Sequence, residues 1–234
     1  MLSDLNQLLA ATVLFVGGHF LLSSQALRPG LVARLGETGF RGLYSAVAGV
    51  GIVWMCFDYA DAPHVQLWAL PLLRWLPLIL MPFAAILAVA GLTTRSPTAV
   101  GGEHLAGGIE PAPGILRITR HPFLWGVALW AVGHLAANGD LASLVFFGGF
   151  LVLALGGMQH IDHRRERALG SDWGPMKLTT SLLPFAALAT GRTTMDWRGL
   201  GWWRPLLGVA LYLALLHLHP LLFGVSPLPL GLTR

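Results

Sequence analysis

The sequence predicts an all-α polytopic transmembrane bundle, one domain over residues 1–234 with about six spans and both termini non-cytoplasmic. Three observations lead there. Of the 234 residues, 55% are hydrophobic and only 11% charged, against about 25% charged in a soluble domain, so most of the surface faces lipid. The apolar residues gather into six segments, 6–24, 42–59, 70–92, 122–137, 141–158 and 204–223, near the roughly 20 residues a bilayer-crossing helix needs. Finally, 13 of the 15 basic residues fall in three connections. Arg28, Arg34 and Arg41 follow the first span. Arg95, Arg117 and Arg120 follow the third. Arg164, Arg165, Arg167, Lys177, Arg192, Arg198 and Arg204 follow the fifth. Only Arg74 and Arg234 fall on the other side. The positive-inside rule then puts the three basic loops in the cytoplasm.

Each element has its own signal. The first span carries Asp4 and no basic leader, unlike a cleaved signal peptide. Its Thr12, His19 and Ser23 form one polar stripe at helical spacing, beside Gly17 and Gly18, which permit close approach. The second span holds the single cysteine, Cys56, so no disulfide forms within one chain. Pro71, Pro77 and Pro82 stud the third span and predict a kink. Pro122 suits the first turn of the fourth. Asn138-Gly139-Asp140 predicts a tight hairpin between the fourth and fifth. His219-Pro220 ends or kinks the sixth. The connections 93–118 and 159–203 are polar, the first rich in Gly and Pro, the second in charge.

The net charge of +4 does not point to nucleic acid, because the basic residues flank apolar segments and form no aromatic-basic surface. No phosphate loop or dinucleotide fingerprint is present. The chemistry rests on nine histidines, since intramembrane ionisable groups are costly and face a bundle interior. For His19, two readings stand: an inward imidazole bonded to a helix carbonyl, or a metal or haem ligand. His134, four residues after Trp130 and beside Gly126 and Gly133, reads either as an interfacial histidine near a helix end or as such a ligand. His121 and His134 are 13 residues apart, about 20 Å on a helix, so they have separate roles. His160 and His163 share a face in "QHIDHRRER" and read as a solvated helix end. His217 and His219 lie about 200° apart. At the cytoplasmic edge, the hairpin brings Arg117, Arg120 and His121 towards Asp162, Arg164 and Arg165. Snorkelling into headgroups explains the charges; a partly buried cationic pocket for an anionic cofactor group explains the clustering.

These residues carry a resemblance. "GHFLLSS", "RLGETGFRGLYS", "VQLW", "GILRITRHPFLWGVALWAVGHLAANGDLAS" and "LLPFAALATGR" resemble, in order and over most of the chain, the NnrU family of bacterial membrane proteins, which includes relatives of a plant zeta-carotene isomerase. The resemblance implies a multi-pass protein of the inner (cytoplasmic) membrane that binds haem b. It implies His19 and His134 as iron ligands and His121 with Arg120 as catalytic residues. Arg117, Arg120, Trp130, Asp162 and Arg165 are then the expected cofactor-binding residues. The implied reaction is redox-dependent cis–trans isomerisation of a long apolar polyene from the bilayer, with an electron donor as a further partner. His19 and His134 differ in expected depth by roughly 10 Å, so His19 with His121, or His134 with His217 or His219, stay open as pairs. A non-catalytic haem protein of nitric-oxide metabolism is a further implied reading. A second resemblance competes: "RHPFLWG" followed by "RRERALGSDWGPMKLTTSLLPF" is similar to membrane methyltransferases, which implies S-adenosylmethionine as an alternative cofactor. The paired Glu of that pattern is missing here; Arg165-Glu166 stand nearby.

Overall fold

The hairpin expected at Asn138-Gly139-Asp140 joins the two central helices, and its capping shows how the chain encodes it. Helix α1 spans Leu2–Ser23, α2 Arg28–Asp61, α3 Leu76–Thr93, α4 Pro122–Asn138 and α5 Leu141–Leu169. Three short helices follow, α6 Gly174–Thr179, α7 Ala186–Ala189 and α8 Trp197–Leu200, before α9, Trp203–Phe223. These bounds come from a computed structural model that describes residues 2–108, 110 and 112–229; Arg234 lies outside the described residues. Gly139 ends α4 in the left-handed region at φ 65°, where glycine carries no steric penalty. A side chain there would also collide with the Trp68 carbonyl. Asp140 then caps α5, accepting the Ser143 N–H at 2.9 Å. Among the described residues there is no strand beyond a single bridge between Gln66 and Asp140.

The long helices lie side by side in the order α2, α1, α5, α4, α3, α9. Five helical stretches are long and apolar enough to cross a membrane: α1, α2, residues 71–93 through α3, α5 and α9. The fourth expected span, α4, has 17 residues, about 26 Å on the ideal rise, and packs between α3 and α5. Small residues set that closeness. A Cβ on Gly126 would lie 2.8 Å from the Ala84 carbonyl oxygen, and one on Gly208 of α9 would lie 2.6 Å from Ile86 Cα of α3. Gly17 has open space around it.

Two expectations change in detail. The second helix starts at Arg28, not near residue 42, and is broken once at Gly36, φ 70° and ψ 168°, a conformation reserved for glycine. Arg28 closes across the break onto Glu37 at 2.8 Å, so the first basic connection is largely helical. The polar connections also fold. The described residues of 93–118 and the α6–α8 segment cover the end of α3, burying Ala90, Ile115, Leu116, Trp173, Met176 and Leu200 together. Each large apolar side chain there contributes about 1.5–3 kcal/mol by leaving water. The end carrying this cap and the basic loops is the basic end; the α4–α5 turn marks the hairpin end.

Candidate functional site

At the basic end, α4 begins where the chain must fasten it to α5. His121 precedes the helix, with Pro122 in its first turn. Its Nε2–H donates to Asp162 Oδ1 at 2.8 Å. Arg120 holds the other carboxylate oxygen, with Nε 2.7 Å away and Nη2 2.6 Å away. The His121 side chain is 1% exposed, Arg120 11% and Asp162 14%. Three of the expected site residues therefore meet, and the carboxylate offsets the Arg120 charge.

Other expected members of that cluster stand apart. Arg165 turns to the cap, pairing with Glu103 and donating to the Ala99 carbonyl at 2.7 Å. Burial pushes the Glu103 carboxyl up, but the Arg165 hydrogen bond, a backbone hydrogen bond and the charges of Arg165 and Arg164 together hold Glu103 below its ordinary range. Arg117 closes a 3-10 turn and points elsewhere, donating to Ala112 O at 3.0 Å, Thr193 Oγ1 at 3.0 Å and Glu110 at 2.8 Å. Residues 181–185 lie against the start of α4. Ser181 O accepts from Arg120 N–H at 3.1 Å, Leu182 O accepts from Thr119 at 2.9 Å and Trp125 Nε1 at 2.8 Å, and Ile118 O accepts from Phe185 N–H at 2.8 Å. Phe185, the only non-glycine with positive φ among the described residues, at 64°, bends the chain to make that last contact.

Further into the bundle, rings form a continuous row across three helices. His19 on α1 contacts Phe15 at 4.5 Å between centroids, Phe15 contacts Phe150 of α5 at 5.5 Å, and Phe150 contacts Trp130 of α4 at 5.2 Å. Trp130 contacts His134 at 5.2 Å, and His134 lies over Phe147 at 4.9 Å. Trp130 thus belongs with His134, ten residues from Arg120 and about 15 Å along the helix. His19 and His134 stand at opposite ends of this row and do not touch. The imidazole that approaches His134 is His219 of α9, at 6.5 Å between centroids and 20° between planes.

The three imidazoles share one hydrogen-bond device. His19 Nδ1–H donates to Phe15 O at 2.6 Å, His134 Nδ1–H to Trp130 O at 2.8 Å, and His219 Nδ1–H to Val225 O at 2.9 Å. A carbonyl only accepts, so each Nδ1 carries a proton, and in the neutral ring the lone pair then sits on Nε2. That is the state in which imidazole binds a metal. No group of three or more His, Cys, Asp or Glu that could hold a metal ion occurs among the described residues. The phenylalanines had a faint sequence signal, Phe146, Phe147 and Phe150 on adjoining faces of span five. The approach of His219 to His134 depends on α9 packing against α3, and no spacing announces it.

Comparison with known proteins decides the family. The model of the NnrU protein family matches residues 7–227. The chain belongs to the NnrU family. Two curated relatives are chloroplastic 15-cis-zeta-carotene isomerases. That of Arabidopsis thaliana is 33% identical over 116 residues, 48% of this chain and 32% of the relative. That of Zea mays is 34% identical over 79 residues, 34% of this chain and 22% of the relative. The match thus spans about a third or less of the length of either relative. No solved structure matches. Within this NnrU chain, the blocks "ITRHPFLW" and "SLLPF" lie about sixty residues apart in sequence and meet through the Leu182 carbonyl.

Proposed function

We propose that this NnrU-family chain is an integral-membrane cis–trans isomerase of a long apolar polyene, working with haem b in the inner membrane. The observation that carries the reading is the row of rings from His19 through Phe15, Phe150 and Trp130 to His134, set in an apolar bundle. Flat aromatic faces suit a conjugated chain, and helices exposed to lipid give an apolar substrate a way in. The chain's likeness to the two zeta-carotene isomerases supports the same substrate class.

The donor chemistry fits haem. Haem b, when bound, supplies redox-active iron whose potential the axial ligands set. His134 Nε2 and His219 Nε2 are free because both Nδ1 atoms donate to carbonyls. The 6.5 Å between the two rings supports His134 with His219 as the holding pair. His19 has the same free Nε2 and remains the partner the family resemblance implies, but its ring neighbours are Phe15 and Tyr44. Arg120 and His121 position α4 through Asp162, and with it Trp130 and His134. An electron donor completes the reaction.

The test is direct. Purified protein is incubated under reducing conditions with 15-cis-zeta-carotene, and the isomers are separated by chromatography. Conversion that needs the haem absorption bands supports the proposal. Haem bands without conversion would favour a non-catalytic haem protein of nitric-oxide metabolism. A colourless protein that binds S-adenosylmethionine would favour the methyltransferase.

A further inference from the structure

A pocket of about 250 Å³ opens at the basic end, between the α1–α2 turn and the last turns of α5. Gln25, His160, His163, Arg164 and Arg167 line it. It lies on a different face of α5 from Asp162 and its partners, and none of its lining residues belongs to the ring row.

Its charge is unbalanced. No carboxylate lines it, and the neighbouring carboxylates are already engaged. Glu37 is held by Arg28 and Arg41, Asp162 by Arg120 and His121, Glu103 by Arg165 and Glu166 by Lys177. Arg164 has no hydrogen bond among the described residues, and its Nε is buried without a partner. Arg28 and Arg165 also leave Nε unpaired, but their outer nitrogens reach Glu37, Glu103 and the Ala99 carbonyl. Arg28 and Arg165 stand close enough to Arg164 to repel it, which outweighs the attraction of Glu103, itself held by Arg165. A half-buried guanidinium without a partner is costly.

The remaining donors point to the missing group. Arg167 gives one nitrogen to Gln25 Oε1 at 2.5 Å, which fixes the Gln25 amide and leaves its NH2 free. His163 donates from Nδ1 to Gln159 O at 2.8 Å, leaving Nε2. His160 is tied by Nε2 to Ser23 O at 3.1 Å, bracing the pocket wall. Arg164 and Arg167 share a helix face at i, i+3 spacing. Two guanidinium forks and an amide offer more donors than the two oxygens of a carboxylate can use. A phosphate matches them, with two charged and two ester oxygens in a lipid diester and three or more free oxygens in a monoester or inorganic phosphate.

We propose that this pocket is a phosphate-binding site, filled by the phosphate of an anionic phospholipid headgroup or of a soluble phosphate compound. Its place beside the ends of α1 and α5 puts it at headgroup depth. The inference does not rest on the isomerase reading.

The full chain, purified and delipidated in neutral detergent, is titrated with phosphatidylglycerol, with phosphatidylcholine and with millimolar inorganic phosphate. Binding is read by native mass spectrometry and by the shift in thermal unfolding. The expected result is retention and stabilisation by phosphatidylglycerol or by inorganic phosphate, whichever is the source, and none by phosphatidylcholine. Arg164→Gln should weaken that binding about tenfold, the loss of one charge-assisted contact. Arg164→Gln with Arg167→Gln should abolish it. Arg198→Gln, on an exposed cap residue, should leave it unchanged. Because Arg164 bonds to nothing in the protein, Arg164→Gln should unfold at the same temperature as the parent, or higher, when no phosphate is present. Equal weakening by Arg198→Gln would overturn the site, as would an unchanged affinity in the Arg164 variants. Loss of ligand-free stability in Arg164→Gln would overturn it too, by showing a structural arginine.

Discussion

His121 Nε2 and Asp162 Oδ1 lie 2.8 Å apart at the basic end, and this bond ties the first residue before α4 to the body of α5. Arg120 holds the second oxygen at 2.6 Å. Removing the carboxylate leaves a buried imidazole and a nearly buried guanidinium without a partner, and breaking such a pair is strongly destabilising. Asp162→Asn should lower stability by on the order of 3 kcal/mol, read as detergent-solubilised thermal unfolding followed by circular dichroism. Arg198→Gln, on an exposed arginine of the cap, should change it little. Equal stability of Asp162→Asn and the parent would show that solvent, not Asp162, satisfies Arg120.

Part of this clasp is legible in the sequence. The Asn138-Gly139-Asp140 turn makes α4 and α5 antiparallel neighbours, so "RHP" at one end must approach the charged end of the other. What spacing cannot resolve is direction. Arg117 is three residues from Arg120, yet the 3-10 turn Gly114–Arg117 sends it to Glu110 and Thr193. The cap was unreadable because its helices are four to six residues long, too short for a hydrophobic period to show. His219 was one of several open partners for His134, since its place follows from the packing of α9 on α3. The aromatic row was hidden because phenylalanines in an apolar span look like lipid-facing bulk until neighbouring helices are in place.

The hairpin end has its own acid sensitivity. Burial pushes the Asp140 carboxyl up, but bonds from Ser143 N–H, Ser143 Oγ and His64 outweigh this and leave it below the ordinary range. A carboxylate with a depressed folded value contributes stability that is full above its unfolded value of about 3.9. That contribution is lost as pH falls through the folded value. The parent should therefore lose thermal stability as pH drops below about 4, and Asp140→Asn should flatten that part of the profile. At neutral pH the variant should be weaker by about 1 kcal/mol, the usual size of a lost helix cap. An unchanged acid limb in Asp140→Asn would assign the effect to another carboxylate.

Glycines separate packing from permissiveness. A Cβ at Gly126 meets the Ala84 carbonyl at 2.8 Å and Ala88 N at 3.0 Å, both backbone, whereas one at Gly17 meets nothing within 4 Å. Gly126→Ala must push α4 off α3 and should cost about 1–3 kcal/mol. Gly17→Ala should be neutral or slightly stabilising, as alanine favours helix. The two thermal midpoints check this directly, and a stable Gly126→Ala would show that α3 and α4 can part without cost.

Orientation is testable from exposed positions at the two ends. Leu67 is exposed beside the α4–α5 turn, and Arg198 is exposed on the cap. With Cys56 replaced by serine, Leu67→Cys should react with an impermeant maleimide in intact cells. Arg198→Cys should react only after permeabilisation, if the basic loops lie in the cytoplasm as the positive-inside rule expects. The reverse pattern would invert the whole chain.

The last prediction concerns which imidazoles hold iron. His134 and His219 stand 6.5 Å apart, each with Nδ1 spent on a carbonyl and Nε2 free. His19 has the same device but lies at the far end of the ring row, next to Tyr44. Loss of one axial imidazole converts six-coordinate low-spin haem to a five-coordinate high-spin form or releases it. His134→Ala and His219→Ala should each do so, while His19→Ala should keep the low-spin spectrum. His121→Ala should also keep it and instead lower thermal stability, since its Nε2–H is engaged by Asp162. His163→Ala should change neither. If His19→Ala and His134→Ala convert the spectrum and His219→Ala does not, His19 and His134, the pair implied by the family resemblance, would be the residues that hold the haem. If all three leave the low-spin bands intact, the ligands lie elsewhere and the row serves the substrate alone.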